Sequence, residues 1–190
     1  MAWCRKESLV GIRVGYIVGS LSASSINRQL AEHAIARAPE SLELTEIPIR
    51  DLPLYNYDLD GSFPAEAIVF KQELESFDAL LFVTPEYNRS IPAALKNAID
   101  WGSRPWGQNS FAGRTASIIG TGLNGAGTAV AQSHLRSILV YLGTTVVGAP
   151  EVCIRWEPDA LASVATDELI ASFWASFAAS LEKSAGVPVS

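Results

Sequence analysis

Residues 79–83, Ala79-Leu80-Leu81-Phe82-Val83, are apolar without a break, and a polar, aromatic loop, Thr84-Pro85-Glu86-Tyr87-Asn88-Arg89-Ser90, follows at once. A strand with no polar alternation has both faces buried, which parallel sheets achieve by carrying helices on each side. An amphipathic helix beginning near Pro92 supplies the first such cover. The run therefore points to an α/β chain, with a ligand held where open sheets of this kind hold one, at the carboxyl ends of the strands.

The rest of the chain repeats the pattern. Gly11 to Gly19 reads as a first strand, and Ser25 to Ala38 has helical spacing at Ile26, Leu30 and Ala34. Leu42 to Ile47 alternates as a more exposed strand would, and Pro64 to Phe77 sets Phe70, Leu74 and Phe77 on one helical face, with Ser62 available as its cap. Thr115 to Ile119 gives a fourth strand, and Thr128 to Leu142 a helix. Thr144 to Val147, resuming at Val152 to Ile154, reads as a split fifth strand before a helix over Asp167 to Lys183. Five β–α units predict a five-stranded parallel sheet, and this size favours the order 2-1-3-4-5. Its switch point lies between the first and third strands, so the loops after them, Ser20 to Asn27 and Pro85 to Ser90, should form the site.

At 190 residues, with no internal repeat and no linker, residues 1–190 read as a single domain able to bury its own core. A net charge of −6 argues against a nucleic-acid or anionic-membrane surface, and Arg5-Lys6 is a short tail rather than a patch. Cys4 and Cys153 are far apart, with neither a C-x-x-C nor a nearby histidine pair, which argues against both a metal site and a structural disulfide. Arg13 interrupts the N-terminal apolar run, and no run approaches membrane-spanning length, so the expectation is a cytoplasmic protein without membrane insertion.

Gly19-Ser20-Leu21-Ser22-Ala23-Ser24-Ser25-Ile26-Asn27-Arg28 joins the first strand to the first helix. Four hydroxyls, an amide and the unpaired N–H groups of a helix N-terminus suit a phosphate. Capping alone would need one serine. No lysine follows in the manner of a nucleoside-triphosphate loop. Gly120-Thr121-Gly122-Leu123-Asn124-Gly125 matches G-x-G-x-x-G, but no Asp or Glu occurs from Gly120 to Pro150 to hold a ribose. Close backbone approach to the same ligand is the better reading of those glycines. Tyr87, Asn88 and Glu86 offer a ring, an amide and a carboxylate, a set suited to a flat, hydrogen-bonding ligand such as a flavin. His33 and His134 fall in helices away from these loops, as surface or packing residues, and no G-x-S-x-G elbow is present. Trp101 and Trp106 could wall the pocket or a subunit contact. The loop from Arg50 to Phe63 is apolar enough to edge a partner's pocket.

On Gly19-Ser20-Leu21 to Asn27-Arg28, Thr84-Pro85-Glu86-Tyr87-Asn88, Ser90-Ile91-Pro92 and Leu95-Lys96-Asn97-Ala98-Ile99-Asp100-Trp101, with His134-Leu135-Arg136 as a weaker mark, the chain resembles the NADPH-dependent FMN reductase family, in its chromate and quinone reductase branch. The resemblance runs from about Val14 to Ile154. It implies a flavodoxin-like three-layer sandwich, noncovalent FMN, and a homodimer or homotetramer. It further implies Ser20, Ser22, Ser25, Ile26 and Asn27 around the FMN phosphate, Pro85, Glu86, Tyr87 and Asn88 along the ring, and Thr121, Gly122 and Leu123 near its pyrimidine edge. Many relatives carry arginine where this chain has Ser22, which leaves the choice between NADPH and NADH open.

The activity expected is hydride transfer from NADPH or NADH through FMN to a small acceptor, with no protein acid, base or metal. Backbone N–H groups around Tyr87–Asn88 and Thr121–Leu123 would stabilise charge on the reduced ring. The acceptor (quinone, metal ion such as chromate, azo dye or free flavin) is not written in the residues. The alternatives are a flavodoxin-type one-electron carrier that docks with proteins and a redox-sensing module without turnover.

Overall fold

The computed structural model describes residues 11–184. Its elements run β1 (Ile12–Val18), α1 (Ile26–Ile35), β2 (Leu42–Glu46), α2 (Ala65–Ser76), β3 (Ala79–Val83), α3 (Ala93–Gly102), β4 (Thr115–Gly122), α4 (Ala129–Tyr141), β5 (Thr145–Arg155) and α5 (Val164–Ser184), with 3-10 turns at Tyr57–Leu59 and Ala160–Ala162. All strand pairs are parallel, in the order β2-β1-β3-β4-β5. This is the flavodoxin-like arrangement expected. Cys4 and the Arg5-Lys6 tail lie outside the described residues; Cys153 is a free thiol.

β3 shows why its sequence has no polar alternation. Leu80 and Phe82 enter a core with Phe70 and Leu74 of α2, Leu95, Ile99 and Trp101 of α3, and Leu135 and Leu139 of α4. Ala79, Leu81 and Val83 enter a second core with Leu30 and Ala34 of α1 and Ile170, Phe173, Trp174 and Phe177 of α5. Successive residues of a strand point to opposite faces, so a sheet with helices on both sides leaves no place for a polar side chain at its centre. Burying each such Leu or Phe contributes about 1.5–3 kcal/mol.

Some local expectations need correcting. The fifth strand is one element rather than two. Ser117 pairs with Val147 and Ile119 with Val152, so four residues of β5, 148–151, stand against one of β4 in a bulge. Pro150 in that segment looks like a break in sequence, while the strand resumes register beyond it. Ser62 does not cap α2; Pro64 occupies the cap position without a side-chain bond. Trp101 walls neither a pocket nor a subunit contact. It is fully buried, donates Nε1–H to the Pro53 carbonyl at 2.7 Å, and takes the edges of Tyr55 and Phe63. The Arg50 to Phe63 loop is correspondingly only half free. Leu52, Tyr55, Leu59 and Phe63 pack on the core, while Leu54 and Tyr57 remain exposed.

Candidate functional site

The carboxyl ends of β1, β3 and β4 open into one cleft of about 440 Å³, lined by Ser20, Ser22, Ser24, Ser25, Ile26, Asn27, Pro85, Glu86, Tyr87, Thr121, Gly122, Leu123 and Asn124. Eleven of the twelve residues singled out from sequence therefore meet in one place. The twelfth, Asn88, lies on the far side of Tyr87, in an adjoining hollow with Ser90, Ile91 and Lys96. A larger hollow of about 590 Å³ lies away from this cleft, among Tyr55, Tyr57, Arg104, Trp106 and Tyr141, and none of the twelve residues borders it.

Ser25 is the N-cap of α1, its hydroxyl oxygen accepting the Arg28 N–H at 3.2 Å. Capping and ligand binding are compatible, because that hydroxyl keeps its own proton to donate. The Ile26 and Asn27 N–H groups, in the first turn of α1, have no partner within the helix. The Asn27 side chain, by contrast, is committed to the protein. It donates Nδ2–H to the Thr121 carbonyl at 2.9 Å and accepts the Thr121 N–H through Oδ1 at 3.0 Å. This buried pair straps the end of α1 to the end of β4 and sets the width of the cleft floor.

Glu86 also differs from its sequence reading. Its side chain is 2% exposed and turns away from the cleft. Oε2 accepts the N–H groups of Val130 and Ala131, each at 3.1 Å, so Glu86 supplies the anion at the start of α4 that Thr128 does not. The carboxylate is thereby removed from the face a ligand would meet. Tyr87 to Ser90 closes as a two-residue hairpin turn, Tyr87 N–H to Ser90 carbonyl and the reverse both at 3.0 Å, with Asn88 and Arg89 at φ of 50° and 63°. Positive φ at both central positions is the I′ geometry, which asparagine tolerates. The Tyr87 and Thr121 N–H groups are thus both in use.

His134 does not lie away from the loops. Its Nδ1 is 3.1 Å from the Ser90 hydroxyl, so α4 holds the loop at a second point. The triplet His134-Leu135-Arg136 was the sequence signal for it, and only the fold connects it to Ser90. His33 stays a packing residue, beside Asp167 at 3.1 Å. Gly120 and Gly122 of the G-x-G-x-x-G stretch make room for the chain itself, while a Cβ on Gly125 would meet open space. A Cβ on Gly120 would lie 2.3 Å from the Thr84 carbonyl oxygen, and one on Gly122 would lie 2.7 Å from that of Gly127.

The electrostatics are those of an anion site without a competing acid. Arg28 forms a two-pronged pair with Glu46 at 2.8 and 2.7 Å, and that bonding holds the Glu46 carboxyl below the usual carboxylate range, against the opposing effect of burial. Burial pushes the Cys153 thiol up, which leaves it un-ionised and unsuited to nucleophilic work. Among the described residues, no group of three His, Cys, Asp or Glu could hold a metal ion, and no helix is long and apolar enough to cross a membrane. Hydroxyl and amide donors at one end of the cleft, and Pro85, Tyr87 and Leu123 at the other, fit a phosphate bearing a flat ring.

Comparison with known proteins identifies the family to which the chain belongs. A family model described as NADPH-dependent FMN reductase matches residues 12–157. The chain is 46% identical over 146 residues to a 2-hydroxy-1,4-benzoquinone reductase of a Burkholderia species, covering 77% of this chain and 80% of that one. It is 43% identical to a quinone reductase of Pseudomonas putida, covering 74% and 76%. Among solved structures, FerB, a flavoenzyme NAD(P)H:(acceptor) oxidoreductase from Paracoccus denitrificans, superposes with a TM-score of 0.85 at 39% identity, over 90% of this chain and 98% of that one. A flavodoxin from Pseudomonas aeruginosa matches at a TM-score of 0.56 and 19% identity, which speaks to the fold alone.

Proposed function

Because the chain belongs to the NADPH-dependent FMN reductase family, we propose that it passes hydride from NAD(P)H, through FMN held in the cleft between Ser20 and Leu123, to a quinone. The observation that carries the reading is the donor set itself: hydroxyls and free N–H groups at one end, and the nearby Glu86 carboxylate turned into α4. FMN bound there would supply the two-electron chemistry. The protein binds, orients and shields.

In this reading Ser20, Ser22, Ser25 and the N–H groups of Ile26 and Asn27 hold the phosphate, while the Asn27 side chain fixes the distance to β4. Pro85 and Tyr87 would lie along the ring, and Gly122 and Leu123 would meet its edge. With the Tyr87 and Thr121 N–H groups engaged elsewhere, the Leu123 N–H would be left to face developing charge on the ring. Glu86 contributes through its backbone and by anchoring the loop. The half-exposed ring of Tyr87 separates the cleft from the adjoining hollow, and so shapes where donor and acceptor enter in turn.

The quinone assignment is supported by the activities for which the relatives are named; a metal ion such as chromate is a second acceptor class open to the same exposed ring. Residues 1–190 act as a single domain in this reading. Use of NAD(P)H supports a cytoplasmic setting. Assembly as a homodimer or homotetramer is supported by Leu54, Tyr57, Trp106 and Tyr141, four large side chains between 69% and 83% exposed around one side of the molecule.

Steady-state kinetics test the activity. Parallel double-reciprocal lines for NADPH and a benzoquinone are expected, since one cleft serves both in turn. Negligible quinone turnover by the FMN-loaded protein would contradict the proposal and favour an electron carrier.

A further inference from the structure

Among the described residues no lysine or arginine lines the cleft, yet a nicotinamide dinucleotide brings further phosphate to a protein of net charge −6. The cations available are those bordering its loops. Arg28 is neutralised by its two-pronged pair with Glu46. Arg89 reaches Glu86 at 3.4 Å. Arg50, at the start of the loop after β2, is different. Its Nη2 donates to the Leu21 carbonyl at 2.6 Å, which fixes the exposed guanidinium against the loop carrying Ser20, Ser22 and Ser25. Among the described residues it enters no ion pair, not even with Asp51 beside it in sequence. A guanidinium has five N–H donors in a rigid fork, so one bond to a carbonyl leaves most of its capacity free.

We propose that Arg50 recognises the 2′-phosphate of the electron donor and so sets a preference for NADPH over NADH. The inference rests on the reading of the cleft as the FMN site. With FMN in the cleft of about 440 Å³, the nicotinamide end of the donor would enter beside Tyr87 and the adenosine end would extend across the rim. A phosphate monoester carries about −1.5 to −2 charge near neutral pH, and needs a cation that is not already spent on a carboxylate. Arg50 meets that need at the rim, held in place before the nucleotide arrives.

The test compares Arg50→Gln and Arg50→Lys with the wild-type holoenzyme. Gln removes the charge while keeping a polar, N–H-bearing side chain; Lys keeps the charge but loses the fork. Calorimetric titration with NADP⁺ and NAD⁺ gives a readout independent of turnover, and KM for NADPH and NADH gives a second. Removing an exposed charge-assisted contact is expected to weaken NADP⁺ binding, and raise KM for NADPH, roughly tenfold in Arg50→Gln. NAD⁺, NADH and the FMN dissociation constant should stay unchanged, and Arg50→Lys should retain most of the preference. Equal losses for both nucleotides, no loss for either, or weakened FMN binding would each overturn the assignment. FMN uptake by the wild-type protein is measured alongside, so a failure of the cleft reading is seen separately from a failure of Arg50.

Discussion

Glu86→Ala separates a residue that faces the ligand from one that anchors the loop beneath it. The structure gives the Glu86 carboxylate two bonds from the first turn of α4, at 3.1 Å each, and almost no exposure. Hydrogen bonds to a charged group contribute about 1.5–3 kcal/mol each, and an anion at a helix N-terminus adds to the same interaction rather than beside it. Allowing for that overlap, loss of the side chain should cost roughly 2–4 kcal/mol. For a chain of this size each kcal/mol moves the Tm by about 2–4 °C, so a fall of roughly 5–15 °C is expected by thermal denaturation. Glu86→Gln, which keeps one acceptor oxygen, should cost about half as much. FMN affinity measured by fluorescence titration should change only a few-fold in either variant, because the loop relaxes while the ligand's own contacts survive. The reasoning is refuted if Glu86→Ala unfolds like the wild type but loses FMN a hundredfold.

The serine loop and its neighbour should behave oppositely. Ser20→Ala should weaken FMN about tenfold or more, the worth of one hydrogen bond to a charged phosphate of roughly 1.5–3 kcal/mol, with urea stability unchanged; unaltered affinity would mean that Ser20 meets no ligand atom. Asn27→Ala should destabilise the fold by roughly 2–4 kcal/mol, because it strands the buried N–H and carbonyl of Thr121; a variant as stable as the wild type would show that the strap carries no load.

How far the sequence could be read divides along physical lines. The uninterrupted run at 79–83 announced a strand buried on both faces, and five alternating units left few topologies open. Strand order and the switch point then brought Ser20 to Asn27 and Pro85 to Tyr87 into one cleft. What sequence spacing could not supply was the direction of each side chain. Glu86 sits in a polar loop beside a ring and reads as a ligand-facing acid, yet α4 offers it unpaired N–H groups 44 and 45 residues away. The glycines at 120 and 122 read as room for a ligand, yet they admit the chain's own carbonyls. Lys71, in the middle of α2, carried no signal at all. Its ammonium is buried against the Gly102 and Gln108 carbonyls and the Ser110 hydroxyl, and burial pushes its pKa down. For Glu86, Gly120 and Lys71 the deciding partner lies far away in sequence.

The central claim, that this cleft holds FMN and turns it over between a nicotinamide and a quinone, is tested most directly by an anaerobic single turnover. The FMN-reconstituted protein, at one flavin per chain, is mixed with one equivalent of NADPH and then with one equivalent of benzoquinone, and its visible absorbance is followed. The account predicts full bleaching by the first addition and full recovery on the second, with one FMN released per chain on denaturation. Failure to take up FMN, no bleaching by NADPH, or bleached flavin that the quinone leaves unchanged would contradict it.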